Sequence, residues 1–337
     1  MQRIFITGTA GFIGYHLAEY LLSQGLEVHG YDGMTDYYDV QLKRRRHQRL
    51  LQKPGFAATE GMLEDDELLR KTITDFRPDA IVHLAAQAGV RYSLENPRAY
   101  IDTNVVGTFN ILEIAKTLQI GHLLMASTSS VYGANEDMPF SERDKADTQL
   151  TIYSATKKAC ESMAHSYAHL FGLPTTVFRF FSVYGTWGRP DLALFKFVDA
   201  MLDDRPIDIY NQGDMLRDFT YVGDLVRAIS LLIPIVPPGA QDRGDVSPND
   251  SLSPVAPFRI INIGNSAPVK LLDFIDQIEV CLGKKATRNY MGMQPGDVTA
   301  SWADATLLNE LTGYQPETKV EDGIAAFVGW FRDYYQK

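Results

Sequence analysis

"ITGTAGFIG", residues 6–14, is the stretch on which the fold turns. Gly8, Gly11 and Gly14 lie between a β-rich run, "RIFITG" (3–8), and an amphipathic segment that begins at Phe12 and Ile13. In a strand–turn–helix unit the first glycine permits a tight turn and the second lets backbone approach a pyrophosphate. The third lets helix pack on strand. A glycine triplet alone also occurs at ordinary strand-to-helix turns. Here Asp32, ending the next run "EVHGYD" (27–32), stands about twenty residues on, where a carboxylate accepts hydrogen bonds from adenosine ribose hydroxyls. Its charge repels a 2′-phosphate, so the expected dinucleotide is NAD rather than NADP. The run "KRRRHQR" (43–49) is the opposing signal. It is read as a solvated helix face, the usual fate of a charge run.

Working outward, further β-rich runs occur at 80–86 ("AIVHLAA"), 122–128 ("HLLMAST") and 174–185 ("PTTVFRFFSVYG"). Amphipathic segments at 12–24, 65–76, 97–118 and 152–171 predict helices between most of them. Strands alternating with helices predict an α/β fold, a doubly wound parallel sheet of Rossmann type. Residues 234–257, crowded with Pro, Gly, Ser and Asp, predict an exposed loop. A chain of 337 residues with 45% hydrophobic content is long enough for a sizeable core. Its net charge of −10 argues against binding nucleic acid through the phosphate backbone. No apolar run is long enough to span a bilayer, and the first residues already read as a strand rather than a signal peptide. Cys160 and Cys281 match no metal-ligand spacing and suit a reducing compartment, and the scattered histidines predict no metal. The expected location is the cytoplasm.

Two further stretches carry chemistry. In "YSATKKA" (153–159), Tyr153 and Lys157 share a helix face, where an ammonium would lower the pKa of a phenol and make it usable as a base. "ASTSSVYG" (126–133) ends a predicted strand with the hydroxyls of Ser127, Thr128, Ser129 and Ser130 and nothing that titrates near neutrality.

With "DYYDVQLKRRR" (36–46), "HLAAQAGVRYSLENPRAYIDTNVVGT" (83–108), "GRPDLALFKF" (188–197), "RDFTYVGDLV" (217–226) and "QPGDV" (294–298), nearly the whole chain resembles the extended short-chain dehydrogenase/reductases. Among these it is most similar to nucleotide-sugar epimerases, and within them to the UDP-glucuronate 4-epimerases. The resemblance implies reversible C4 epimerisation of UDP-glucuronate through a 4-keto sugar with tightly bound NAD. It implies catalytic roles for Thr128, Tyr153 and Lys157: Thr128 binds the sugar O4, Tyr153 takes its proton, and Lys157 holds the nicotinamide ribose. Leu63, Leu84, Ala85, Ala86 and Gln87 are expected to line the NAD cleft, Lys43 to reach the adenosine ribose, and Phe180 and Phe181 to lie near the nicotinamide.

Ser129, Ser130, Ser182 and Arg189, with Thr128, are expected to receive the uronate carboxylate, and Arg217 and Asp297 the diphosphate and uridine ribose. Related decarboxylases typically carry glutamate at the place of Ser130, and related dehydratases an Asp-Glu pair at Ser129 and Ser130. This chain has neither acid, and a carboxylate there would repel a uronate. The expected partition is an NAD-binding domain over 1–180, to which part of about 218–264 returns, and a nucleotide-sugar-binding domain over 181–337. Segments 97–118 and 152–171 resemble the family's dimerisation pair. Two departures stand out: Met62 replaces the family's usual adenine-contacting aspartate, and "YGTWGRPD" replaces the commoner "YGPRGRPD". The rival readings are a UDP-glucose or UDP-N-acetylglucosamine 4-epimerase, a UDP-glucuronate decarboxylase, and a non-catalytic NAD-binding regulator.

Overall fold

The computed structural model describes residues 1–337. Strands β1 (Arg3–Thr7), β2 (Glu27–Asp32), β3 (Phe56–Glu60), β4 (Ala80–His83), β5 (His122–Thr128), β6 (Thr175–Phe180) and β10 (Phe258–Ile263) form one parallel sheet. Its order is β10-β6-β5-β4-β1-β2-β3. The chain leaves β1 toward β2 and β3, then returns to the other side of β1 as β4. That reversal opens a crevice beyond the carboxyl ends of β1 and β4, where doubly wound sheets bind their ligands. The central strands are apolar along their length because helices cover both faces: β4 is buried at every position, and β5 at all but one.

The sequence runs include neither edge strand. β3 is short and half-exposed, and β10 emerges only after the irregular, largely exposed segment 234–257. The run 174–185 is not one strand. It breaks at Phe181 into β6 and β7 (Ser182–Tyr184), and β7 pairs with β9 (Leu216–Tyr221) instead of the large sheet. β11 (Pro268–Lys270) and β13 (Ala300–Ser301) complete that smaller sheet, while β8 (Ile207–Ile209) pairs with β12 (Arg288–Tyr290). The predicted helix 97–118 is likewise interrupted: α-helical turns at Pro97–Tyr100 and Gly107–Thr117 flank a π-helical segment, Ile101–Val106.

The basic run is not the solvated face expected of it. Helix Val40–Leu51 exposes Arg44, Arg45 and Arg49 but buries Lys43 and Arg46, because the helix lies against the glycine turn. His165 and His169 reach Ser253 and the Val255 carbonyl, anchoring the end of the 234–257 segment to helix Ile152–Phe171.

Glu142 is buried where its carboxylate accepts from the Asn262 amide, and burial raises it to about 7. An acid whose folded pKa exceeds its unfolded value contributes stability that is complete below pH 4.5 and is lost as pH rises through about 7. Glu142→Gln keeps the acceptor and removes the charge. It is expected to flatten the loss of stability between those two pH values, raising stability at pH 8 by about 3 kcal/mol. Urea titrations at several pH values check this.

Candidate active site

The turn between β1 and helix Phe12–Ser23 is built on glycine for steric reasons. Gly8 sits at φ +84°, and a Cβ there would fall 2.9 Å from the Ala85 amide nitrogen; one on Gly14 would fall 2.1 Å from the Gly8 carbonyl oxygen. Gly14→Ala therefore forces helix from strand and is expected to cost about 1–3 kcal/mol and most of the bound dinucleotide, read by melting temperature and by the cofactor content of the purified protein.

Of the residues assigned above to the cofactor, all but Phe181 line one cleft of about 210 Å³ over this turn: Gly8, Gly11, Phe12, Ile13, Gly14, Asp32, Lys43, Leu63, Leu84, Ala85, Ala86, Gln87, Tyr153, Lys157 and Phe180. Asp32 accepts from the Ala10 and Met34 amides at 2.9 Å each, so it braces the turn while facing the cleft. Lys43 donates to the Thr35 carbonyl at 2.5 Å and to its hydroxyl at 3.0 Å. Met62 lines the same cleft and offers no carboxylate.

A second cavity, of about 420 Å³, takes in Thr128, Ser129, Ser130, Ser182, Arg189, Arg217 and Asp297. Phe181 lines this cavity rather than the cleft. Tyr153 and Arg189 line both. The hydroxyl shelf is shaped by a 3₁₀ turn, Ser129–Tyr132, which begins where β5 ends. Thr128 Oγ1 accepts from the Ser130 amide and donates to the Ser130 hydroxyl, both at 3.2 Å. Ser127 is committed elsewhere: its hydroxyl donates to Glu161 at 2.7 Å, within a buried pair with Arg179. Three of the four hydroxyls therefore face the larger cavity.

Tyr153 is placed by the start of helix Ile152–Phe171, where Thr151 and Ser154 form a reciprocal capping box. Burial pushes its phenol up, opposed by the Thr128 hydroxyl and the Arg189 charge. Burial likewise pushes Lys157 down. The Tyr153 phenol therefore lies above its ordinary value, and the groups that oppose the rise are Thr128 and Arg189 rather than the expected Lys157.

Arg189 is not a free counter-charge. Its Nε and Nη2 donate to Asp191 at 2.9 and 2.5 Å, and the Tyr37 hydroxyl donates to the same carboxylate at 3.2 Å. Arg217 is similarly engaged with Asp297 at 2.8 Å and with the Val298 carbonyl at 2.6 Å. Both pairs present partly neutralised, preoriented donors rather than bare cations.

Sequence reasoning passed over Arg91, whose guanidinium lies 4.7 Å from the Tyr210 ring on the larger cavity's wall. It also passed over Asn104, in the π-helical segment. The Asn104 side chain accepts from the Gln87 amide, donates to the Gln87 carbonyl and to Thr156, and so joins the cleft wall to the Tyr153 helix. A π-turn at such a position is a recognisable marker only after the backbone is seen. Asp191 stood in the quoted "GRPD", but nothing local ties it to Tyr37, 154 residues earlier.

The cradle's steric demand for glycine, the carboxylate at the end of β2 and the buried Lys157 fit a dinucleotide. A family model described as the NAD dependent epimerase/dehydratase family matches residues 4–240. The chain is 54% identical to a probable UDP-glucuronate 4-epimerase of Rhizobium meliloti, over 100% of this chain and 98% of that one. It is 50% identical to the protein CapI of Staphylococcus aureus, over the whole of both. Among solved structures, the UDP-glucuronic acid 4-epimerase of Bacillus cereus, in complex with UDP-glucuronic acid and NAD, superposes with a TM-score of 0.87 at 31% identity, covering 99% of this chain and 100% of that one. The cleft and the full-length matches agree, and the chain belongs to the NAD dependent epimerase/dehydratase family.

Proposed function

We propose that the chain interconverts UDP-glucuronate and UDP-galacturonate by epimerisation at C4. The observation that carries this reading is the neutral shelf of Thr128, Ser129 and Ser130, which shares a cavity with Ser182 and Arg189 and meets the dinucleotide cleft at Tyr153. Bound NAD supplies a hydride acceptor for C4 that returns the hydride to the opposite face. Thr128 orients O4, and Tyr153 accepts the O4 proton on oxidation and gives it back on reduction. Lys157 and Gln87 hold the cofactor end of the cleft. The shelf hydroxyls and Arg189 bind the C6 carboxylate, holding a 4-keto uronate, a β-keto acid, against loss of carbon dioxide. Asp208 and Asp297 are the acids on this cavity's wall, and Asp297 is paired with Arg217, which we assign to the diphosphate.

The test is incubation with UDP-glucuronate and no added nicotinamide, followed by proton NMR. UDP-galacturonate at equilibrium supports the reading, and a UDP-pentose with carbon dioxide makes the chain a decarboxylase. A neutral UDP-hexose substrate is the second reading, favoured by the Asp191 carboxylate that already occupies Arg189.

We assign NAD binding to residues 1–180 with 222–263, since β10 and helix Val222–Leu232 pack on the Rossmann half, and sugar-nucleotide binding to the remainder. Exposed Ile101, Val106 and Phe109 on one helical segment and Ile152 on the next favour a homodimer, which sedimentation equilibrium would test. No helix is long and apolar enough to cross a membrane. Both cysteines are unpaired, which favours the reducing cytoplasm.

A further inference from the structure

Three side chains of the dinucleotide-binding half converge on Thr186–Gly188, the short loop that leads into Arg189. Arg46 is fully buried. Its Nη1 donates to the Ala10 carbonyl, inside the glycine turn, at 2.9 Å and to the Tyr38 hydroxyl at 2.8 Å. Its Nη2 donates to the carbonyls of Trp187 at 2.5 Å and Gly188 at 3.3 Å. His16, on the helix that the turn opens, bonds the Thr186 carbonyl at 2.7 Å, and burial lowers its pKa to about 4, leaving a neutral ring that donates from Nε2. The Tyr15 ring lies 5.6 Å from that of Trp187.

Two properties set Arg46 apart. All of its hydrogen bonds go to neutral oxygens, and its Nε has no partner. A buried cation without a carboxylate is costly to keep. The loop it holds is strained as well: Trp187 sits at φ +56°, a conformation rare for a bulky side chain. The Trp187 ring also packs against Trp330 and Tyr334 of the last helix, at 5.4 and 5.2 Å. Arg46 itself lines neither cavity. The loop and its continuation do: Gly185, Gly188, Arg189 and Leu192 face the larger cavity, and Arg189 faces the cleft as well.

We propose that Arg46 is a positioning residue that makes occupancy of the two cavities interdependent, by fixing the glycine turn and the Arg189 loop to each other through one guanidinium. A ligand that orders one end of this tie orders the other. The proposal rests on the assignment of the cleft to NAD and of the larger cavity to a UDP-sugar.

The test measures NAD retention by the purified holoenzyme on dilution, with and without UDP as the probe. Wild-type protein is expected to hold NAD at least about 5-fold more tightly with UDP bound, the lower end of ordinary coupling between sites. Hydrogen exchange at residues 8–14 is expected to slow when UDP is added. In Arg46→Met the UDP effect on NAD falls toward onefold while UDP still binds, although no ligand contact has been removed. Arg46→Lys keeps the charge but cannot span both carbonyl groups, so it gives an intermediate ratio and serves alone if the methionine variant does not fold. A full-sized UDP effect in Arg46→Lys would mean that UDP merely covers the cofactor, and would overturn the role. UDP binding to wild type without any effect on NAD overturns this proposal alone; failure of UDP to bind overturns the cavity assignment and the proposal with it.

Discussion

Tyr153→Phe is expected to lower kcat for C4 epimerisation about 1,000-fold, roughly 4 kcal/mol of activation free energy, while leaving fold and NAD content unchanged. The ring is held by the capped first turn of its helix and by an edge contact with Tyr100, whose centroid lies 6.0 Å away, and neither involves the hydroxyl. Removing that oxygen therefore deletes the proton acceptor without opening a cavity. A loss in kcat, with little change in the binding of UDP, separates this role from a structural one. A variant retaining a tenth of wild-type kcat would move the base function to another group.

Arg189→Met carries the second large effect. The charge-assisted hydrogen bonds it removes are worth about 1.5–3 kcal/mol, so kcat/KM for UDP-glucuronate is expected to fall about 10–150-fold further than kcat/KM for UDP-glucose. Arg189 also opposes the rise in the Tyr153 pKa. A base must be deprotonated to act, so activity rises with pH through its pKa. Losing the cation moves that rise to higher pH. Paired pH–rate profiles, uronate against neutral sugar, check both statements. Equal losses on the two substrates would return Arg189 to a structural pairing with Asp191.

The parts of this molecule legible in the sequence are those that local spacing encodes. Three glycines in seven residues, an acid at the end of the second strand, and Tyr153 four residues before Lys157 each report geometry within one turn or one crossover. What lay hidden depends on residues far apart in the chain. Asp191 was in plain view two residues from Arg189, but its second partner, Tyr37, lies 154 residues away in the chain. Arg46 reads as one more charge in a basic run until the turn at Ala10 and the loop at Trp187 are folded around it. The break at Phe181 was masked by continuous β propensity on both sides of it. The π-helical segment was masked by the amphipathic pattern that runs through 97–118, although its β-branched and short polar residues, "IDTNVV", and the glycine that follows them are weak helix formers.

The position of β10 at the edge of the large sheet has a consequence for synthesis. β6 ends at Phe180, but the strand that pairs with it ends at Ile263, so its outer edge waits for 83 more residues. At about 5–20 residues per second, a ribosome needs about 4–17 s to make them. During that interval the nascent chain exposes an unpaired strand edge, the kind of surface that recruits another chain. Helix Val222–Leu232, made midway, can cover the first helix but not that edge. The growing polypeptide is thus most exposed to aggregation, and most in need of a chaperone, while its second half is being made.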